Sequence, residues 1–339
     1  MHDEIGSFIE IDFKSLGEFY KEEELGSDNI GRVNSCRAAI KYAINLYGVN
    51  IVYLPRYECD TVTKEILRNN DCKIIYYNLD DRFFPILSKQ DDNSAIVIVN
   101  YFGIFSNNYL KKISALYRNV IIDNAQAFYS YPLENCYNCY SPRKFLGVPD
   151  GGYVIGTNAK IGLDSLEQDY SSDTAIFLLQ RIEYGCRGIA YNNKKLNDAR
   201  LDNAGVKKMS ILTHKMLSSF SYHDYISIRK DNFNYARKLF DPINELAISR
   251  FWDDSCVPYV YPLLIKKDGI IEAFHDNNIF QGHWWEYLVA LTPKDTIEND
   301  LSKYIIPITI DQRYDYNDIK RQYDLVNQLL KLRSCKTVQ

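Results

Sequence analysis

Short runs of consecutive apolar residues alternate along the first half of the chain with stretches whose apolar positions recur every three to four residues. The runs at 51–55 (IVYLP), 73–79 (KIIYYNL), 95–103 (AIVIVNYFG) and 119–123 (NVIID) lack the in-out alternation of a strand with one wet face. They predict strands covered by helices on both sides. The intervening segments SCRAAIKYAINLYG (35–48), TVTKEILRN (61–69) and NNYLKKISALYR (107–118) carry helical spacing. Asn34 or Ser35 is a good N-cap for the first of them, and Gly48 a good stop. FIEIDF (8–13) predicts a further short strand. Alternation of this kind predicts a mainly parallel α/β sheet. Ligands bind such sheets outside the carboxyl ends of the strands, the edge to which Pro55, Asn100 and Asp123 fall.

Beyond GGYVIG (151–156) the pattern changes. Residues 160–240 are charged and largely helical, closing on an amphipathic stretch that ends at DPI. A strand (257–266), a helix (269–278), a second strand (304–310) and a final helix (315–332) then follow. This restart predicts a large α/β domain over 1–234 and a small C-terminal α+β domain over 235–339.

Composition narrows the function classes. A net charge of −4 leaves no basic footprint for nucleic acid or an anionic membrane. No run approaches the ~20 apolar residues of a membrane-spanning helix. The acidic start, MHDEIGSFIEIDF, lacks the features of a signal peptide, so a cytoplasmic location is expected. The eight cysteines, the last of them Cys335, are scattered. Cys136 and Cys139 form one CxxC, but no second pair or neighbouring histidine completes a zinc set, and the cysteines are expected to pack as small reduced hydrophobes.

The candidate chemistry concentrates between Val120 and Gly152. Asp123 closes an apolar run, and Lys144 follows in a Ser-Pro-Arg-Lys turn before a flexible Asp150-Gly151-Gly152. Pyridoxal 5'-phosphate (PLP) needs such a pair: an acid to keep its ring nitrogen protonated and a lysine amine to bond its aldehyde. That lysine must be partly desolvated, so that enough of it is neutral to react. Gln126, three residues on from Asp123, is a candidate to hydrogen-bond the cofactor's phenolic oxygen. Upstream, Ser35, Cys36 and Arg37 open a helix whose free N–H groups suit a phosphate, and Ser141 supplies a hydroxyl to the same group. Each piece also has a plain reading: a capped helix, a strand-end Asp capping a turn, a solvated lysine.

The order of the pieces resembles the DegT-type sugar aminotransferases, a branch of the fold-type I PLP enzymes. The resemblance rests on Cys36-Arg37-Ala38-Ala39-Ile40, on Asp123-Asn124-Ala125-Gln126, and on Cys139-Tyr140-Ser141-Pro142-Arg143-Lys144 with Asp150-Gly151-Gly152. The opening IGSFIEIDF, LPRYECDTV, Asn100-Tyr101-Phe102-Gly103 and a late Ile-Pro-Ile extend it over nearly the whole chain. It implies a fold-type I large domain and a small C-terminal domain. It also implies PLP as cofactor, a homodimer, and amino transfer from glutamate onto a nucleotide-linked keto-sugar, by family habit for a surface polysaccharide. Lys144 and Asp123 become the catalytic residues, with Ser35, Cys36, Arg37, Tyr57, Gln126 and Ser141 binding the cofactor. The chain departs from the pattern at Arg37 and Cys139, where the family has Thr and Ser. It departs again at Cys59, where a stacking ring is usual, leaving Tyr57 as that ring. Ala204-Gly205-Val206-Lys207-Lys208-Met209 lacks the asparagine that reaches the neighbouring subunit's cofactor. A sugar dehydratase, which replaces the lysine, and a degenerate PLP-binding protein are the alternative readings. His283-Trp284-Trp285, Arg313, Arg181 and Arg187 are substrate-lining candidates or plain packing and surface groups.

Overall fold

A computed structural model describes residues 8–334; the first residues of the IGSFIEIDF stretch and Cys335 lie outside them. The strands are β1 (Ile30–Val33), β2 (Ile51–Pro55), β3 (Lys73–Leu79), β4 (Pro85–Ile86), β5 (Ser94–Val99), β6 (Val120–Asn124), β7 (Tyr137–Tyr140), β8 (Gly152–Ile155), β9 (Tyr261–Leu264) and β10 (Ile305–Ile308). The first helices are α1 (Glu22–Leu25), α2 (Cys36–Tyr47), α3 (Asp60–Leu67), α4 (Asn107–Ser114), α5 (Ile176–Tyr184) and α6 (Ile189–Asn203). After them come α7 (Ile211–Leu217), α8 (Tyr222–Phe240), α9 (Ile270–Asp276), α10 (Ile297–Tyr304) and α11 (Tyr316–Ser334).

Eight strands form one sheet in the order β1-β8-β7-β6-β5-β2-β3-β4. The centre, from β7 through β6, β5 and β2 to β3, is parallel, and antiparallel pairs close both edges. Strands β5 and β6 are buried at every position, as their unbroken apolar runs predict. One face, through Val97, Ile121 and Cys139, packs on α2, whose Ala38, Ala39 and Ala43 let the helix approach closely. The other, through Ile96, Ile98, Val120 and Ile122, shares a core with Phe233, Leu263 and Ile305 of the C-terminal segment. There β9 and β10 pair antiparallel in their own small sheet. Helix α8 runs unbroken through 234–235.

Two expectations change. Residues 8–13 form no strand, and Phe8, Ile9 and Ile11 are exposed: alternation alone cannot hold a strand without a partner edge. Asp150-Gly151-Gly152 is not loose. Asp150 is fully buried and accepts from the Ser210 hydroxyl at 3.0 Å, while the Gly151 N–H donates to the Asn34 carbonyl at 2.8 Å. Gly152 is required because a Cβ there would come within 2.3 Å of the Ser35 carbonyl oxygen, where α2 starts across β8. Cys136, just before β7, and Cys139 within it pack into cores on opposite faces of the sheet.

Candidate active site

Asp123 stands at the carboxyl end of β6 and is 2% exposed. One of its oxygens accepts from the Ala125 N–H at 2.7 Å and from the Cys36 thiol at 3.6 Å. Burial raises its pKa, opposed by the Ala125 N–H and then by the positive charge of Lys144. Burial likewise pushes the Cys36 and Cys139 thiols far up, so both stay neutral beside the acid.

Gln126 is buried and its side-chain oxygen accepts from the Phe102 N–H at 2.6 Å. Its amide nitrogen makes no hydrogen bond among the described residues. Gly103, at φ 71°, allows this turn, since a Cβ would meet the Gln126 carbonyl at 2.4 Å. Ser35 caps α2, its hydroxyl accepting from the Ala38 N–H at 3.2 Å. Buried Ser141 keeps an uncommitted hydroxyl.

Lys144 ends a short 3-10 turn, Pro142–Lys144, with its ammonium 6.0 Å from the Tyr259 ring. Its side chain is exposed, not desolvated, because the cleft it faces is open on one side. That cleft, about 940 Å³, runs between the α5–α6 segment and the C-terminal segment. Lys144, Arg181, Arg187, Lys194, Arg313 and Arg321 face it, against the acids Asp311 and Asp318. Asp311 holds Arg313 in a two-pronged pair at 2.8 Å, and Arg187 lies over the Phe280 ring at 4.5 Å.

Other candidates differ from expectation. Cys36 turns its thiol to Asp123. Arg37, the second residue of α2, radiates away from the helix end and pairs with Asp202 on α6. One turn earlier on α6, Asp198 takes Arg143. Burial lowers the Arg37 pKa, helped by the like charge of Arg143. Tyr57 is 0% exposed, enclosed by Trp285 at 4.5 Å and Tyr101 at 5.4 Å, so neither ring face is open to a ligand. The 204–209 segment is tied to its own chain: the Asn34 amide donates to the Gly205 carbonyl at 3.0 Å.

At the level of sequence, no family model and no curated protein matches the chain. Solved structures do match. The sugar aminotransferase CalS13 from Micromonospora echinospora is 16% identical, with 91% of this chain and 89% of that chain covered, at a TM-score of 0.59. The aminotransferase TlmJ from Streptoalloteichus hindustanus is 13% identical, with coverage of 92% and 89% and a TM-score of 0.61. NtdA from Bacillus subtilis, solved with bound cofactor PMP, is 12% identical, with coverage of 91% and 75% and a TM-score of 0.59.

The chain has the fold of the sugar aminotransferases.

Within this fold two further contributors emerge, the first singled out in the sequence with its role left open and the second missed there. Trp284 lines the cleft, stacked on Phe102 at 5.3 Å and Tyr259 at 5.8 Å, whereas Trp285 fills the core against Tyr57 and His283 bonds the Ile305 carbonyl. The HWW run marked the region without separating the roles. The second is Glu58, buried beside Asp123, and nothing local in ECDTV distinguishes it from a solvated turn residue.

Proposed function

We propose that this protein is a PLP-dependent aminotransferase that moves an amino group, from glutamate, onto a nucleotide-linked keto-sugar. The observation that carries the proposal is Lys144 at the mouth of a cation-lined cleft, within electrostatic reach of the buried carboxyl of Asp123. The fold shared with sugar aminotransferases supports it.

The residues present fit PLP. Asp123 offers a carboxylate in a dry floor, Gln126 a free amide, Ser141 a free hydroxyl, and α2 the unpaired N–H groups of a helix start. When bound, PLP supplies the electron sink that makes a proton on the substrate carbon removable. In this reading Asp123 holds the ring nitrogen charged, and Gln126 orients the phenolic oxygen. Ser35, Cys36 through its backbone, and Ser141 bind the phosphate. Arg37 acts only by its field, its guanidinium being taken by Asp202. Lys144 anchors the cofactor and then moves a proton at its Nζ, and Trp284 and Tyr259 exclude water from one side. The cleft arginines meet the acceptor's phosphates. The presence of Lys144 weighs against a sugar dehydratase.

We extend the proposal to a homodimer with its small domain beginning near residue 235. Apolar side chains are exposed along the α5–α6 segment at Leu179, Ile182 (83% exposed), Ile189 and Leu196, and at Ile211 where α7 starts. A second copy over these side chains would also close the open side of the Lys144 cleft. Among the described residues no helix is long and apolar enough to cross a membrane; a cytoplasmic role in polysaccharide precursor synthesis fits this reading. The test is a panel of keto-sugar nucleotides with glutamate and PLP, read by ketoacid release. Failure of PLP-supplemented protein to develop a bound chromophore overturns the proposal.

A further inference from the structure

Glu58 follows Tyr57 at the end of β2 and is 5% exposed. One of its oxygens accepts from the Cys59 N–H at 2.6 Å. The other is buried with no hydrogen-bond partner. Across the carboxyl edge of the sheet stands Asp123, whose oxygen already has two donors, the Ala125 N–H and the Cys36 thiol. Tyr77 of β3, Tyr101 and Tyr287, all kept neutral by burial, act on Glu58 from the surrounding elements, together with Cys59 and the positive charge of Lys144.

Two buried carboxylates that feel each other's charge repel, and a sealed oxygen without a donor is costly to ionise. The donors decide which acid gives way. Asp123, with two, is the better ion; Glu58, with one and a bare second oxygen, is the better acid. We propose that Glu58 stands beside Asp123 as an un-ionised acid whose O–H donates to the Asp123 carboxylate, so that the pair shares one proton and Asp123 stays charged in a dry floor. The Glu58 pKa moves in the direction this requires. Burial, and then the Asp123 charge, holds Glu58 far above the usual carboxylate range, whereas the burial that raises Asp123 is opposed by the Ala125 N–H and by the charge of Lys144. Glu58 is thus a positioning residue acting through Asp123. The shared proton rests on the carboxyls alone; its effect on cofactor binding rests on the function proposed above.

A folded-state pKa above the unfolded value gives stability that is complete below the unfolded pKa and lost as pH rises through the folded one. The full-length wild type therefore loses melting temperature as pH rises above the ordinary carboxylate range. Glu58→Gln, which still donates an N–H but never ionises, removes that component. At neutral pH the wild type shows an infrared carbonyl band of an un-ionised carboxylic acid, and Glu58→Gln lacks it. An unchanged pH profile and an unchanged band in Glu58→Gln overturn the proposal. Should that variant fail to fold, absence of any such band in the wild type at neutral pH overturns it equally. With PLP added, Glu58→Leu weakens binding about tenfold, the size of one hydrogen bond to a charged group, and Glu58→Gln restores it. Binding of PLP to neither variant nor wild type, with the carboxyl band behaving as stated, removes the functional reading and leaves the shared proton standing.

Discussion

Asp123 and Lys144 feel each other's charge from opposite surroundings. The floor around Asp123 is dry, lined by buried Glu58, Cys36 and Cys139. The wall around Lys144 is wet, open and cationic. A dry floor magnifies every charge placed in it, so one proton more or less changes what Asp123 presents to a ring nitrogen. A wet wall screens its charges and works by number, drawing in an anionic ligand that it holds with no single decisive contact. In the proposed reaction the floor sets the electronics and the wall recognises the acceptor.

The difference breaks most completely at Lys144. Lys144→Ala is expected to lower activity about 10⁴-fold, since both attachment and proton movement at Nζ disappear. The absorbance of covalently bound cofactor should vanish with it. Because Lys144 is exposed and makes no hydrogen bond among the described residues, the melting temperature should not fall. A variant that melts early would show that the wall is structural and that activity is the wrong measure of it.

Asp123→Asn tests the floor. Activity should fall on the order of 10²–10³-fold, as for loss of one preorganised electrostatic contact. Burial raises the folded pKa of Asp123, so the wild type loses stability as pH rises through that value, and Asp123→Asn should lose less. Melting curves across pH for the two proteins check the sign.

Much of this contrast was legible in the chain. The unbroken apolar runs of β5 and β6 announced a doubly covered sheet, and the positions following such strands announced the ligand edge. Ser35 was readable as an N-cap because its hydroxyl needs only the next turn. What stayed hidden depends on partners distant in sequence. Strands β1 and β7 are four residues each, too short for a periodic signal, and exist because β8 pairs with both. The 8–13 segment showed the opposite failure, a strand pattern with no edge to join. Arg37 was placed at a phosphate because its sequence neighbours cap a helix, but Asp202, 165 residues away, claims it. Glu58 was invisible for the same reason: only the meeting of the β2 and β6 ends makes it a buried acid.

Floor and wall are joined through Gly152, where the start of α2 crosses β8 above Asp150. Gly152→Ala forces a Cβ against the Ser35 carbonyl, and neither backbone can yield without moving the helix start. Overpacking of this kind costs about 1–3 kcal/mol. The melting temperature should drop, and PLP affinity should drop with it. A drop in stability with unchanged affinity would separate the helix start from the phosphate site.

The smallest effect belongs to the wall. Among the described residues Arg181 has no ion pair and Arg187 meets Asn278 and the Phe280 ring but no acid, so each is free to meet a phosphate. Exposed charges of this sort change encounter and ground-state binding more than chemistry. Arg181→Ala with Arg187→Ala should therefore raise KM for the acceptor about tenfold and leave kcat unchanged. The penalty should shrink as salt is added, because the wild-type cleft is itself screened. The amino donor, which carries no diphosphate, should show a far smaller change in KM. Equal losses for both substrates would move these arginines from recognition of the acceptor to the shape of the cleft.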